Sequence, residues 1–383
     1  MNNKKILIHT YANPLRKDNN VRLLRIVESL KKLGHFDEIH ILCGYEKGQN
    51  EQEWIFKKIF VKRFPLFLSN KSPIISKVLN NFSWIIKIVN YSLFRNVSIV
   101  NFVGVVDLCT LPFFKIIKKA KIFYYADDIV TENRVKRGQK IIYYVIEKLF
   151  LKYCDGVIVV SGGIKNWYEE KYHLNNVSII NNAVIGKEKQ VIDNSYDARK
   201  RFNLPDGDIV FGYIGTFTTG RSIELLLKAF SKTMKNKHLV LAGYGELKNC
   251  VEKMSRTYPN IHYLGPVPWN KVQSFTKSID VGLVLLEDVS LNYRYALPTK
   301  FFEYLASEKP VVVSDFPDMS SVIKKYSCGW CVKSIYSEIF PLINNLDKED
   351  IEKCRENLMN YKYNFMWEEQ EKTLLKIYNN VYK

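Results

Sequence analysis

The stretch IVFGYIGTFTTGRSIELLLKAFSKTMKNKHLVLA, Ile209 to Ala242, holds a complete strand–helix–strand unit. IVFGYI is a continuous apolar run, suited to a strand covered on both faces. Gly215 ends it, and Gly220 and Arg221 stand just before SIELLLKAF, whose apolar residues recur at helical spacing. HLVLA then reads as a second buried strand. A strand that returns parallel to its neighbour through a helix is the repeating unit of a doubly wound α/β sheet.

The alternation continues downstream. Helices are predicted over 246–258, 270–277 and 299–307, and strands over 261–264, 281–286 and 311–314. Upstream, KKILIH (4–9), DEIHILC (37–43), VNF and its neighbours (97–102), KIFYY (121–125), GVIVV (156–160) and VSII (177–180) read as strands. Between them lie the helical VRLLRIVESLKKLG, capped by Gly34, a helix over 110–120, a long basic helix over 139–153, and a helix that Ser161 can N-cap. The polar stretch Lys187 to Pro205 separates the two halves. The expected architecture is therefore α/β, with two Rossmann-like doubly wound domains and ligands at the carboxyl ends of the strands. A length of 383 residues suits two domains of roughly 150–200 residues.

The net charge is +18, and it is unevenly spread. Residues 1–190 carry 31 Lys and Arg against 16 Asp and Glu, whereas residues 191–383 carry 26 against 23. The first half therefore seeks an acidic partner, and an anionic membrane surface and nucleic acid are the two candidates. No nucleic-acid recognition motif is present, so none is expected as a partner. The basic residues interleave with large apolar ones in Lys57 to Leu68, in Ser72 to Val97 with its Phe82, Trp84, Tyr91 and Phe94, and in Arg134 to Tyr153. Such stretches suit interfacial attachment. None has the roughly 18–20 uninterrupted apolar residues of a membrane span. Seven scattered cysteines and no recognisable secretory signal suggest a cytoplasmic protein, peripheral on the inner face of the plasma membrane. CGWC, Cys328 to Cys331, has redox-motif spacing but sits in a strand-like context.

The segment richest in chemistry is RYALPTKFFEYLASEKPVVVSD, Arg294 to Asp315. Pro298 suits the first turn of a helix. That helix offers the amides of Thr299 and Lys300, and the Lys300 ammonium, to an anion. Glu303 lies one turn after Thr299 and can accept from two vicinal hydroxyls, as on a ribose. Phe301 and Leu305 turn to the core. Three glycine turns, at Gly215 to Gly220, Gly243 to Gly245 and Gly265, allow backbone to approach a phosphate closely. Arg221 supplies a charge-assisted bond to a diphosphate.

PTKFFEYLASEKPVVVSD resembles the donor-site motif of glycosyltransferase family 4, retaining enzymes of the GT-B fold active on bacterial surface polysaccharides. YIGTFTTGRSIELLLKAF, LAGYGE, YLGPVPWNKVQSFTKSIDVGLVLL and MWEEQEKTLLKIY resemble the family's segments in its order, and VVDLCTLP, YYADDIVTEN, CDGVIVVS and IINNAV do so more faintly. The resemblance implies an acceptor-binding domain over 1–190, a donor-binding domain over 191–364, and a terminal helix over 365–383 crossing back to the first domain, with a cleft between the domains. It implies that Glu303 binds the ribose, and that Arg221 and Lys300, with amides at Gly215, Thr216 and Thr299 behind Pro298, hold the diphosphate. Gly243, Tyr244, Gly265, Pro266 and Val267 would read the base. Asp127 and Asp128 would take the family's His-Glu place, with Asn19, Asn20 and Asp127 on the acceptor side.

Two positions depart from the pattern. Tyr295 replaces the first of two glutamates eight positions apart, the one that contacts the transferred sugar. Glu308 stands where a helix-ending glycine is usual, and there it must adopt a strained φ or end the helix differently. The expected reaction moves a glycosyl unit from a nucleoside diphosphate sugar to an acceptor hydroxyl, on a lipid-linked or growing surface glycan, with retention. It calls for no metal or other cofactor. Arg221, Lys300, Asp127 and Asp128 are the expected catalytic groups. A nucleotide-sugar epimerase or a non-catalytic GT-B partner subunit are the rival readings.

Overall fold

A computed structural model of the chain describes residues 5–14, 21–45, 48–65, 74–132, 137–185, 195–268 and 271–382. Asn19 and Asn20, the 66–73 part of the basic stretches, residues 134–136 and most of the expected linker lie outside them. The chain divides into two units, one made of Met1–Asn181 with Glu371–Lys383 and the other of Asn182–Gln370.

The first unit holds an eight-stranded sheet. Its strands are β1 (Lys5–Pro14), β2 (Glu38–Gly44), β3 (Gln52–Phe56), β4 (Ile59–Phe64), β5 (Asn96–Phe102), β6 (Lys121–Ala126), β7 (Gly156–Val159) and β8 (Val177–Ile179). Their order is β3-β4-β2-β1-β5-β6-β7-β8, and every pair is parallel except the edge hairpin β3–β4. The second unit holds β9 (Ile209–Thr216), β10 (Lys237–Tyr244), β11 (Ile261–Tyr263), β12 (Val281–Val284), β13 (Val311–Ser314) and β14 (Gly329–Val332), all parallel, in the order β11-β10-β9-β12-β13-β14. Both sheets are doubly wound, as the alternation predicts.

Strand periodicity builds the core of the second unit. Phe211, Leu239, Leu241 and Leu283 pack into one buried cluster, and Val210, Val240, Val284 and Val313 into another on the opposite face. The helix Ile223–Phe230 covers the first cluster with Ile223, Leu226, Leu227 and Phe230, one stripe at helical spacing. Phe301 and Leu305 of the helix Thr299–Ala306 are fully buried in the second, as expected.

Several expectations need correction. The unit boundary falls at Asn181/Asn182 rather than 190/191. Asn182 donates to the Leu297 carbonyl, and Val184 bridges to Met366, so these residues are already tied to the second unit. The helix expected over 110–120 is instead a 3-10 turn, Val105–Thr110, followed by a short π-helical turn, Phe113–Ile117. The last helix begins at Trp367 rather than 365; from Glu371 on it belongs with the first unit, where Tyr378 stacks on Phe123 and bonds Asn101 and Tyr125. Lys57 to Leu68 is no interfacial segment over its described part. Ile59 and Val61 are fully buried in β4, and Arg63 is buried beside Glu53. Trp84 is also buried, donating to Asp107, and Tyr91 donates to or accepts from His40.

Ser161 caps the helix Gly162–Tyr172 by accepting from the Ile164 amide, and Gly34 ends the first helix in the left-handed region. Glu308 does adopt a left-handed φ of +58° and is held by Lys362 at 2.5 Å. Cys328, just before β14, and Cys331 on it are free thiols, and burial pushes Cys328 up to about 12, the opposite of an activated thiolate.

Candidate functional site

In the second unit, β9 has β10 on one side and β12 on the other, so the connections leave it in opposite directions. A crevice at the carboxyl ends of such strands is where doubly wound sheets bind ligands. A pocket of about 290 Å³ opens there, walled by Ile214 and Gly215 of β9, Arg221, Val272, Pro298, Lys300 and Glu303.

Two close approaches shape this wall. Gly243, in register with Gly215, has a φ of +149°, and a Cβ there would lie 1.8 Å from the Gly215 carbonyl oxygen. Only glycine lets these two strand ends meet. The Gly243 amide donates to the Gly265 carbonyl, and the Phe217 amide to the Tyr244 carbonyl, so the turns after β9, β10 and β11 are bonded into one rim. On the other side, Gly282 of β12 leaves room for the Tyr304 ring. The Tyr304 hydroxyl then donates to the Gly212 carbonyl and accepts from the Ile214 amide. That tyrosine locks the helix Thr299–Ala306 onto β9, and its neighbours Lys300 and Glu303 inherit the fixed position.

Lys300 is 7% exposed, and its Nζ has no hydrogen-bond partner among the described residues. It lies 3.5 Å from the centroid of the Tyr213 ring. Burial and then the Arg221 guanidinium push its pKa well below the ordinary lysine range, and the Glu303 carboxylate partly opposes them. Arg221 Nε is likewise buried without a hydrogen-bond partner. At one pocket wall the Lys300 ammonium and the Arg221 Nε find no protein acceptor, an arrangement suited to an anion that the protein does not itself supply. A larger pocket, about 490 Å³, lies beyond β12, β13 and β14, but Arg294 there is already paired with Asp288. Of these two pockets, the smaller one holds the buried, unpartnered Lys300 Nζ.

Of the expected donor residues, Gly215, Arg221, Pro298, Lys300 and Glu303 line the pocket. Thr216, Gly243 and Tyr244 end β9 and β10, Gly265 to Val267 follow β11, and the exposed Thr299 opens the helix with Pro298 as its N-cap. Tyr295 does not line it; it ends the short helix Leu291–Arg294, its amide bonded to the Leu291 carbonyl. Asp127 and Asp128 belong to the first unit, exposed at the end of β6, with Asp127 3.3 Å from Arg22. No cluster of three or more potential metal ligands occurs among the described residues.

The sequence reading missed Tyr213, Ile214, Val272 and Glu287. Glu287 is the most informative. It lies in the loop after β12, its carboxylate accepts from the Ser222 amide at 3.1 Å, and its own amide donates to the Gly220 carbonyl at 2.9 Å. Ser222 has a left-handed φ of +53°, so the Arg221–Ser222 turn is held in a strained conformation from outside. The only sequence signal was an acidic residue at a strand's carboxyl end.

Residues 195–364 match the family described as "Glycosyl transferases group 1". Over 68 residues the chain is 34% identical to TuaH of Bacillus subtilis, described as a teichuronic acid biosynthesis glycosyltransferase; the match covers 18% of this chain and 17% of TuaH. Among solved structures, sucrose-phosphate synthase from Thermosynechococcus elongatus has a TM-score of 0.76 at 14% identity, over 99% of both chains. HepE from Anabaena, solved with UDP-glucose, has a TM-score of 0.74 at 12% identity, over 98% of this chain and 100% of HepE. At such identities the likeness establishes the fold alone, two Rossmann-like units as in GT-B structures.

Proposed function

We propose that the protein is a glycosyltransferase that moves a sugar from a nucleoside diphosphate sugar to an acceptor hydroxyl, with retention at the anomeric carbon. The observation that carries this is the partnerless Lys300 ammonium beside Arg221, at the switch point of a sheet in the matched region. In the reaction the bond from the anomeric carbon to the diphosphate oxygen breaks, its electron pair staying on that oxygen, a bond to the acceptor oxygen forms, and the acceptor hydroxyl's proton passes to the leaving diphosphate. Negative charge grows on the leaving diphosphate. Lys300, Arg221 and the amides opening the helix Thr299–Ala306 are fixed donors for it, so no metal is needed to balance that charge. Glu303 takes the ribose hydroxyls, and the rim at Gly243 and Gly265 takes the base. Asp127 and Asp128 are the carboxylates that the first unit offers to the acceptor. The description of TuaH favours a surface glycan as that acceptor.

Thermal unfolding with a panel of nucleoside diphosphates and nucleotide sugars tests this reading. Ligands at about 100 times their Kd should add roughly 2.7 kcal/mol of stability. UDP and UDP-glucose come first in the panel, because HepE was solved with both. Release of free diphosphate only when an acceptor is added would support transfer; an epimerised sugar formed without acceptor would overturn it in favour of the epimerase reading.

Glu287 gives a second test at the same site. Glu287→Ala removes the acceptor of the Ser222 amide and frees the turn that aims Arg221. The diphosphate should then bind about 1 kcal/mol, or roughly fivefold, more weakly, with Glu287→Gln restoring most of the loss. Calorimetric titration reads this directly, and unchanged affinity in Glu287→Ala would remove the residue from the positioning role.

A further inference from the structure

The helix Arg137–Phe150 of the first unit turns an apolar stripe outward while half-burying Tyr143, Tyr144, Ile146 and Phe150. The residue it buries is a carboxylate, Glu147, which accepts from the hydroxyls of Tyr124 at 3.1 Å, Tyr168 at 2.9 Å and Tyr172 at 2.7 Å. Its opposite stripe, Ile141, Ile142, Val145 and Leu149, follows helical spacing and stands in water. The helix cannot turn this stripe inward without pulling Glu147 from three hydroxyls and out of its buried site. The exposed stripe is thus built in.

A second helix, Ile74–Ser92, adds to the same face. It buries Trp84 and Ile88 and exposes Leu79, Phe82 and Ile86. Right-handed connection places the β4-to-β5 and β6-to-β7 crossovers on one side of the sheet, and both helices pack against the turn Val105–Thr110 between them. At the amino ends of β5 and β6 the surface continues. Phe94 is 79% exposed, and Ile116 and Ile117 are 73% and 66% exposed. Lys118 donates to the carbonyls of Leu93 and Arg95, tying those two turns together. Isolated apolar side chains are ordinary on a protein surface, but a face assembled from two helices and two adjoining turns is not.

Charge identifies the occupant. Among the described residues from Leu79 to Tyr153 there are 10 Lys and Arg against 5 Asp and Glu, and two of those acids, Asp107 and Glu147, are buried. A second copy of this chain would bring the same positive charge to the same face. We infer that this face docks on an anionic lipid bilayer, its apolar stripes entering the headgroup boundary and its lysines and arginines meeting lipid phosphates. No described helix is long and apolar enough to cross a membrane, so attachment is interfacial. The inference stands apart from the donor site, which is in the other unit.

Flotation of the full chain with vesicles tests it. The protein should float with phosphatidylcholine vesicles containing phosphatidylglycerol at low salt, stay down with phosphatidylcholine alone, and be released by salt. Val145→Glu with Leu149→Glu, and separately Ile116→Ser with Ile117→Ser, should each cut the floated fraction by about tenfold. Both pairs are exposed, so melting temperature and nucleotide binding should not move. Failure of the wild-type chain to float with acidic vesicles at low salt overturns the inference, as does undiminished flotation of both variants. A wild-type dimer that the same substitutions dissociate would also overturn it, by showing that a second copy covers the face.

Discussion

Lys300→Ala is expected to lower turnover by about 100- to 1,000-fold, the range seen when one preorganised donor to developing charge is lost. The reason lies in the free protein. The ammonium is buried, lies against the Tyr213 ring, faces the Arg221 guanidinium and has no hydrogen-bond acceptor among the described residues. Burial pushes its pKa far down, so the protein alone disfavours the charged form. On the proposed function, a diphosphate bound there would supply the missing acceptors and raise the pKa again. Between the free and bound pKa values, binding must then take up a proton, and affinity must fall as pH rises through that window. Calorimetry in two buffers of different ionisation enthalpy measures the uptake. It should vanish from the Lys300 share in Lys300→Met, which keeps the apolar stem but cannot be charged. The melting temperature of Lys300→Met should not fall, because the substitution removes a buried amine that has no hydrogen-bond partner and keeps its apolar stem. Equal proton uptake in wild type and Lys300→Met would show that Lys300 does not face the phosphates. Arg221→Ala should cost about 1.5–3 kcal/mol of diphosphate affinity, the range for a bond to a charged group.

The parts of this arrangement that the sequence disclosed are those whose physics is local. Apolar runs marked the buried strands to within a few residues, because a strand covered on both faces has no polar alternation to hide it. The places of Pro298, Lys300 and Glu303 at the start and along one helix were legible because helix spacing and helix-end chemistry are fixed by near neighbours. The hairpin β3–β4 went unrecognised, since QEWIFKKIFVKRF mixes charge into both strands and reads as an interfacial stretch. It is an edge, where a side chain such as Lys62 can reach water while Ile59 and Val61 pack inward. The helix over 110–120 failed for a different reason: the chain tightens and then widens its turns around buried Asp107, which must meet Thr10 and Trp84. Glu287 and Tyr213 act on residues distant in sequence, and no local pattern announces such contacts. The helix that carries Glu147 shows the limit most plainly. Its amphipathic pattern was visible, but only the three tyrosine hydroxyls decide which face turns inward.

Glu303→Ala should weaken binding of a ribonucleoside diphosphate by about 100-fold, near 2.7 kcal/mol, if it loses two charge-assisted bonds of ordinary strength. The carboxylate stands on the pocket wall with Lys300, three residues further along a helix that Tyr304 fixes to β9. Its two oxygens accept only, so their natural partners are hydroxyl donors spaced like the 2′ and 3′ groups of a ribose. Its alternative role is electrostatic, since the same carboxylate raises the Lys300 pKa and so helps to keep that ammonium charged. The two roles separate on the ligand rather than on the protein. Wild type should bind UDP markedly better than 2′-deoxy-UDP, because the deoxy ligand leaves one carboxylate oxygen without its donor. In Glu303→Ala the two ligands should bind alike, and Glu303→Gln, which keeps one acceptor oxygen, should fall between. A coupling of about 1.5 kcal/mol or more in this cycle places the carboxylate on the ribose. If Glu303→Ala instead loses affinity for both ligands in equal measure and keeps full discrimination between them, Glu303 acts through Lys300, and the ribose is held elsewhere on the rim.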